Sequence, residues 1–250
     1  MTLALDPPIV DVPRTSTRGS DFSRLSQRIS AGGLMKRRYS WYARAGVLAC
    51  GALAASWAAF ALVGDSWWQL LVAVLLAVAT TQVAFLGHDV GHRQVFRTRR
   101  SSDIAGLLLG NLAVGLSFGW WIDKHSRHHA NPNHAEHDPD VGAGVLVWSE
   151  EQAGERTGMA ARLARAQAWL FFPLLLLEGW NLHVASARAI LGRGTPMRHR
   201  VTEGILLAAH AIGYLSAVFL VLSPLRAVLF ILVHQGLWGL YMGCSFAPNH

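Results

Sequence analysis

Histidine, the commonest metal-holding side chain, is concentrated in two short segments: His88-Asp89-Val90-Gly91-His92 and His125-Ser126-Arg127-His128-His129. At about 100° per residue, His88 and His92 lie roughly 40° apart on a helix, and His125, His128 and His129 fall within an arc of about 100°. Imidazoles so grouped on two helical faces describe a metal cage supplied by several helices. The ring suits iron, zinc, copper and nickel, so residue type alone does not name the ion. One HxxxH arises by chance; HxxxH followed within a domain's length by HxxHH is far more specific. Asp89 adjoins the first cluster and is a candidate to take the second ring N–H of a ligating histidine. Asn249 and His250, just past the last apolar stretch, are placed to reach the same site. His134 and His137 fall in a polar loop without helical register to the cluster and are expected to face solvent. His183 and His199 read as structural or solvated.

The elements that must carry these clusters are apolar. The 250 residues are 52% hydrophobic and only 15% charged, a balance that points to an integral membrane protein. Spanning a bilayer takes about 20 mostly apolar residues, and four stretches qualify: 41–63, 67–86, 204–222 and 225–243. Short links at Gly64-Asp65-Ser66 and Ser223-Pro224 make each pair a helical hairpin. The hairpin turns are poor in Lys and Arg, whereas Lys36, Arg37, Arg38, Arg97, Arg99, Arg100, Arg188, Arg198 and Arg200 flank the opposite ends. The positive-inside rule therefore puts those ends, both histidine clusters and both termini in the cytoplasm, with the protein in the plasma membrane. That placement explains the net charge of +7 without nucleic acid as a partner. Residues 104–122 cannot cross the bilayer if the two clusters share a site, so they are expected to be interfacial or re-entrant. Residues 168–177, short and interrupted by Pro173, are expected along the interface. The fold class is thus all-α integral membrane: four spans in two hairpins, capped on the cytoplasmic side by short helices that carry the histidines.

Residues 1–40 read as a disordered, basic tail with anionic lipid as its contact, and residues 41–250 as the functional domain. Cys50 and Cys244 fall in apolar runs and are expected to be packing residues. His210 and His234 lie inside the last two spans at similar depth, where ionisable residues are functional candidates. Neutral histidines bonded to a backbone carbonyl or a neighbouring helix are the simpler reading; axial ligands of a haem, or contacts to a quinone, are the other.

HDVGH at 88–92, WWIDKHSRHHANPN at 120–133, DPD at 138–140 and FAPNH at 246–250 resemble the membrane-bound fatty acid desaturases, most of all the actinobacterial and front-end branch. The resemblance implies an oxidoreductase of lipid metabolism, with two non-haem irons held by three histidine boxes. It also implies dioxygen and two electrons used to remove two hydrogens from an acyl chain. Carried over residue by residue, it makes His88, His92, His125, His128 and His129 iron ligands and His250 an additional one. The substrate would be a membrane lipid or acyl-CoA. The electron donor would be a separate ferredoxin, cytochrome b5 or reductase, since no dinucleotide-binding glycine pattern, haem-domain motif or Cys cluster is found. Histidine boxes alone leave a lipid hydroxylase or ketolase open. The family's third box, Q-x-x-H-H, lies downstream of FAPNH, so the chain is expected to be a fragment that is inactive alone.

Overall fold

The computed structural model describes residues 20–142, 144–192 and 194–246. Asn249, His250 and the Pro-containing part of the tail lie outside the described residues. Among those described, every regular element is helical: α1 (Asp21–Ala31), α2 (Tyr39–Val63), α3 (Gln69–Gly91), α4 (Arg99–Gly106), a π-helical segment (Leu107–Val114), α5 (Phe118–Ala130), α6 (Glu150–Gly154), α7 (Gly158–Leu175), α8 (Glu178–Leu191), α9 (Arg200–Val221) and α10 (Pro224–Phe246). Residues up to Arg37 form a unit of their own. Within it α1 replaces part of the expected disordered tail with a helix, capped by the Ser20 hydroxyl, which accepts from Ser23 N–H at 3.3 Å. Apolar Phe22, Leu25 and Ile29 recur at helical spacing there.

Four helices, α2, α3, α9 and α10, are long and apolar enough to cross a membrane. They coincide with the four expected stretches to within five residues at each end. The two hairpins meet at their turns: Asp65 accepts from Ser223 N–H at 2.9 Å and lies 2.6 Å from the Arg226 guanidinium. In the first turn Gln69 donates to Phe60 O and Gly64 O, at 2.7 and 2.9 Å, satisfying carbonyls that the end of α2 leaves open. The middle pair, α3 and α10, is half buried, whereas α2 and α9 are 17% and 11% buried over their apolar windows. Outward side chains such as Leu62 and Leu220 are therefore the ones lipid covers. Between the spans, Phe60, Leu76, Val218 and Phe230 make one core, and Ala77, Val83, Trp238 and Met242 make a second nearer the histidines. Cys50 and Cys244, expected to pack inside, are exposed instead, because each sits on the outward face of its helix.

The segment expected to be re-entrant bends by 108° between Val114 and Phe118. Its reversal needs Gly115, whose φ of 81° is left-handed. A Cβ there would stand 2.5 Å from the His210 ring, so no other residue fits. The stretch around Pro173 bends too: α7 runs to Leu175, and α8 leaves it at 82°.

Candidate metal centre

Two local devices aim the histidines. On α3, His88 stands one turn before His92, which caps the helix with its N–H on His88 O at 3.0 Å. On α5, Trp121, His125 and His129 recur every fourth residue on one face, Trp121 stacked on His125 and His129 meeting His125 edge-on. Trp121 and His125 are 4.4 Å apart by ring centroid, as are His125 and His129.

The tips of these rings converge. His92 Nε2 lies 2.9 Å from His125 Nε2 and 3.3 Å from His88 Nε2, and His125 Nε2 lies 3.0 Å from His129 Nε2. Imidazole nitrogens sit about 2.0–2.1 Å from a bound zinc and at comparable range from other first-row ions, so two ligands of one ion stand roughly 3 Å apart. Nitrogens at that spacing, from helices 33 residues apart, fit a shared cation, and the all-imidazole donor set accepts iron. His88, His92 and His125 all place a ligand nitrogen within 4.8 Å of one another. The convergence also requires the end of α3 and all of α5 to lie on one side, which a straight crossing by residues 104–122 would forbid. A cavity of about 820 Å³ adjoins the rings, with Gly91, Gln94, Trp121 and Ile122 completing its wall.

His128 is aimed by a carboxylate. Its Nδ1 lies 2.9 and 3.0 Å from the two oxygens of Asp138 and 3.3 Å from Asp140. Donation from Nδ1 puts the ring's lone pair on Nε2, the tautomer a metal needs. Asp138 is itself held: its oxygens accept from Asn133 N–H and Asp140 N–H, each at 2.8 Å. Burial pushes its carboxyl pKa up, but these two N–H donors and the His128 ring outweigh that and hold it below the ordinary range. Lys124 pairs with Asp140 alongside. In the sequence, residues 138–140 stood out only as part of a family-like motif; the pairing with His128 was not read from it. Asp89 lies 3.3 Å from His88 Nδ1, and Tyr42 donates to its other oxygen at 3.2 Å. Asp89 is therefore where the sequence placed it; Tyr42 carried no signal of its own.

The remaining histidines lie elsewhere. His134 and His137 are exposed and stacked on each other, and His199 is part-exposed beside Asp103. His183, His210 and His234 gather within the helical bundle. His183 Nδ1 donates to Gly115 O at 2.8 Å, His210 Nδ1 donates to Leu112 O at 2.9 Å, and Tyr214 lies 2.9 Å from His234 Nδ1. The space left among them is about 10 Å³, against several hundred for a cofactor pocket. The haem or quinone reading of His210 and His234 has no room.

Comparison with known proteins gives these motifs a family. A Delta(8)-fatty-acid desaturase of Euglena gracilis is 29% identical over 160 residues, covering 63% of this chain and 37% of the relative. An acyl-lipid (9-3)-desaturase of Physcomitrium patens is 26% identical over 193 residues, covering 72% and 36%. A Delta(6)-fatty-acid desaturase of Caenorhabditis elegans is 33% identical over 132 residues, covering 53% and 29%. The chain thus matches about a third of the length of each of these relatives. No solved structure matches it. The model of the fatty acid desaturase family matches residues 65–250, a stretch that holds both histidine clusters and all but the first of the four spans, and the chain belongs to that family.

Proposed function

We propose that the chain takes part in oxygen-dependent desaturation of a fatty acyl chain at a di-iron centre. Its ligands include His88, His92, His125, His128 and His129, with His250 as a further ligand and Asp89 and Asn249 behind them. The observation that carries this reading is the convergence of imidazole tips from α3 and α5 beside an apolar wall. An unactivated methylene offers no proton to a base and no carbonyl to a nucleophile, and iron bound among these rings supplies the dioxygen chemistry that its oxidation needs. The protein's own part is positional. Asp138 holds His128 in one tautomer, Asp89 does the same for His88, and the row of ring contacts from Trp121 to His129 keeps the tips of α5 facing α3. Trp121 and Ile122 give an acyl chain a dry surface to lie along.

The relatives' names, fatty-acid and acyl-lipid desaturases, support a lipid acyl chain as the substrate; acyl-CoA is the other form it could take, and electrons come from a separate donor of ferredoxin, cytochrome b5 or reductase type. The arginine distribution supports a plasma-membrane protein with the histidines in the cytoplasm. A cysteine placed at Asp65 is expected to be labelled from outside intact cells, and one at Ser102 is not; the reverse pattern overturns the orientation. The activity is tested by expressing the complete gene that encodes these residues in a host without it, profiling the fatty acids and counting bound iron. New unsaturated product that disappears in His88→Ala and His128→Ala, with membrane insertion intact, supports the reading. Near-normal product in either variant overturns the ligand assignment.

A further inference from the structure

The first turn of α5 has every backbone donor satisfied by a side chain, and the side chains come from different parts of the molecule. Ser117 N–H donates to Ser186 Oγ at 3.0 Å, Phe118 N–H to Asn111 Oδ1 at 3.1 Å, Gly119 N–H to Glu203 Oε2 at 3.0 Å, and Trp120 N–H to Ser117 Oγ at 3.2 Å. A helix start ordinarily leaves these groups to water or to one local cap. Here they are pinned to α8, to the π-helical segment and to α9. Glu203 is the hub. The same Oε2 also accepts from Ser117 Oγ at 2.6 Å and from Asn111 Nδ2 at 3.2 Å. Glu203, Asn111, Ser117 and Ser186 are each at most 2% exposed. No cation pairs with Glu203 among the described residues; donors and the positive end of α5 hold it. Gly119 is required by the arrangement, since a Cβ there would stand 2.4 Å from Glu203 Oε1.

We propose that Glu203, on the third span, is the positioning residue that fixes the entry of α5 and so sets where His125, His128 and His129 point. It touches neither metal nor substrate. His125 lies roughly 9 Å along the helix axis from Gly119, so a tilt of about 10° at that pivot moves its ring by about 1.5 Å, beyond the tolerance of a bound metal. This inference rests on the metal-centre reading above, and its test separates the two.

Spin labels at Gln94, just after α3, and at Ser126, on α5, both lining the cavity, report the position of α5 with or without metal, in a full chain whose Cys50 and Cys244 are replaced by serine. The wild type and Glu203→Gln, whose amide oxygen still accepts from Gly119 and Ser117, are expected to give one narrow distance distribution. Glu203→Ala is expected to broaden or shift it. With Co²⁺ as the probe, the alanine variant is expected to bind roughly tenfold or more weakly with an altered visible spectrum, while the glutamine variant stays close to wild type. Phe60→Ala, which loosens the core between the spans, is the control for simple destabilisation and is expected to keep both distance and spectrum. Unchanged distances in Glu203→Ala, or an equal change in Phe60→Ala, overturn the proposal. A wild type that binds no Co²⁺ but shows the same dependence of distance on Glu203 retains the positioning role and removes the metal reading.

Discussion

The molecule holds two groups of histidines, and they differ in what the backbone offers each ring. In the group at the end of α3 and along α5, Nε2 atoms face one another at 2.9–3.3 Å. In the group among α8, α9 and α10, Nδ1 of His183 donates to Gly115 O and Nδ1 of His210 to Leu112 O, both at the bend before α5, and His234 pairs with Tyr214. The first borders a cavity of about 820 Å³ and the second encloses about 10 Å³. The same side chain thus brings its ring tips together in one place and ties helices to a neighbouring backbone in the other. Being intramembrane and ionisable is not enough to mark a ligand; lone pairs brought tip to tip are the better sign.

Removing a converging ring should break the comparison most severely. His125→Ala takes out the nitrogen that lies between His92 and His129, and both metal content and any desaturase activity are expected to fall to background. Metal analysis of the membrane-inserted variant checks this. Retention of wild-type metal would place the ion elsewhere. Asp138→Asn is the next largest. The amide no longer anchors His128 as an anion does, and loss of such a partner typically weakens metal binding about 10–100-fold. Titration with Co²⁺ measures it, and an unchanged affinity would reduce Asp138 to a loop-forming residue.

How much of this was legible depends on the range of the interactions. The four spans and the grouping of His88, His92, His125 and His129 follow from helical period and apolar run length, which are local. The parity argument made residues 104–122 interfacial or re-entrant, but the position of the bend at Gly115 was not legible. Asp138 was visible only as part of the DPD motif, because what it does depends on the chain folding back onto α5 ten residues earlier. Glu203 falls one residue before the start of the expected third span, where nothing local marks it as buried. Its partners lie 84 to 92 residues away, and no local pattern announces them. The expected tail hid α1 for the opposite reason: Pro and Arg in its first half masked a short helix-forming stretch after Ser20.

In the second histidine group the expected effects are on stability alone. His210→Leu loses the bond to Leu112 O and loosens the re-entrant turn, at a cost of about 1 kcal/mol, the usual scale for a hydrogen bond between membrane helices. Thermal unfolding in detergent should show the loss, and metal content should stay at the wild-type level. A parallel loss of metal would erase the distinction between the groups and make His210 part of the centre.

The smallest effect is expected at the opposite end of the bundle, where Asp65 joins the two hairpin turns. The Ser223 N–H, first, and the Arg226 guanidinium, second, hold its carboxyl pKa below the ordinary value of about 3.8. A group whose pKa is depressed by folding stabilises the fold above its unfolded value and loses that contribution as pH falls through the folded one. Asp65→Asn should therefore lower the melting temperature slightly at neutral pH and leave it unchanged in strong acid, where wild type and variant are both neutral. The pair is solvent-exposed, so added salt should shrink the neutral-pH difference. Neither condition should alter metal binding, because the link lies at the far ends of the spans from the converging histidines. Melting curves at low and high salt on either side of that pKa, with metal content measured in parallel, test all three expectations. A difference that persists in strong acid would mean that the carboxyl acts through its shape and hydrogen bonds rather than its charge.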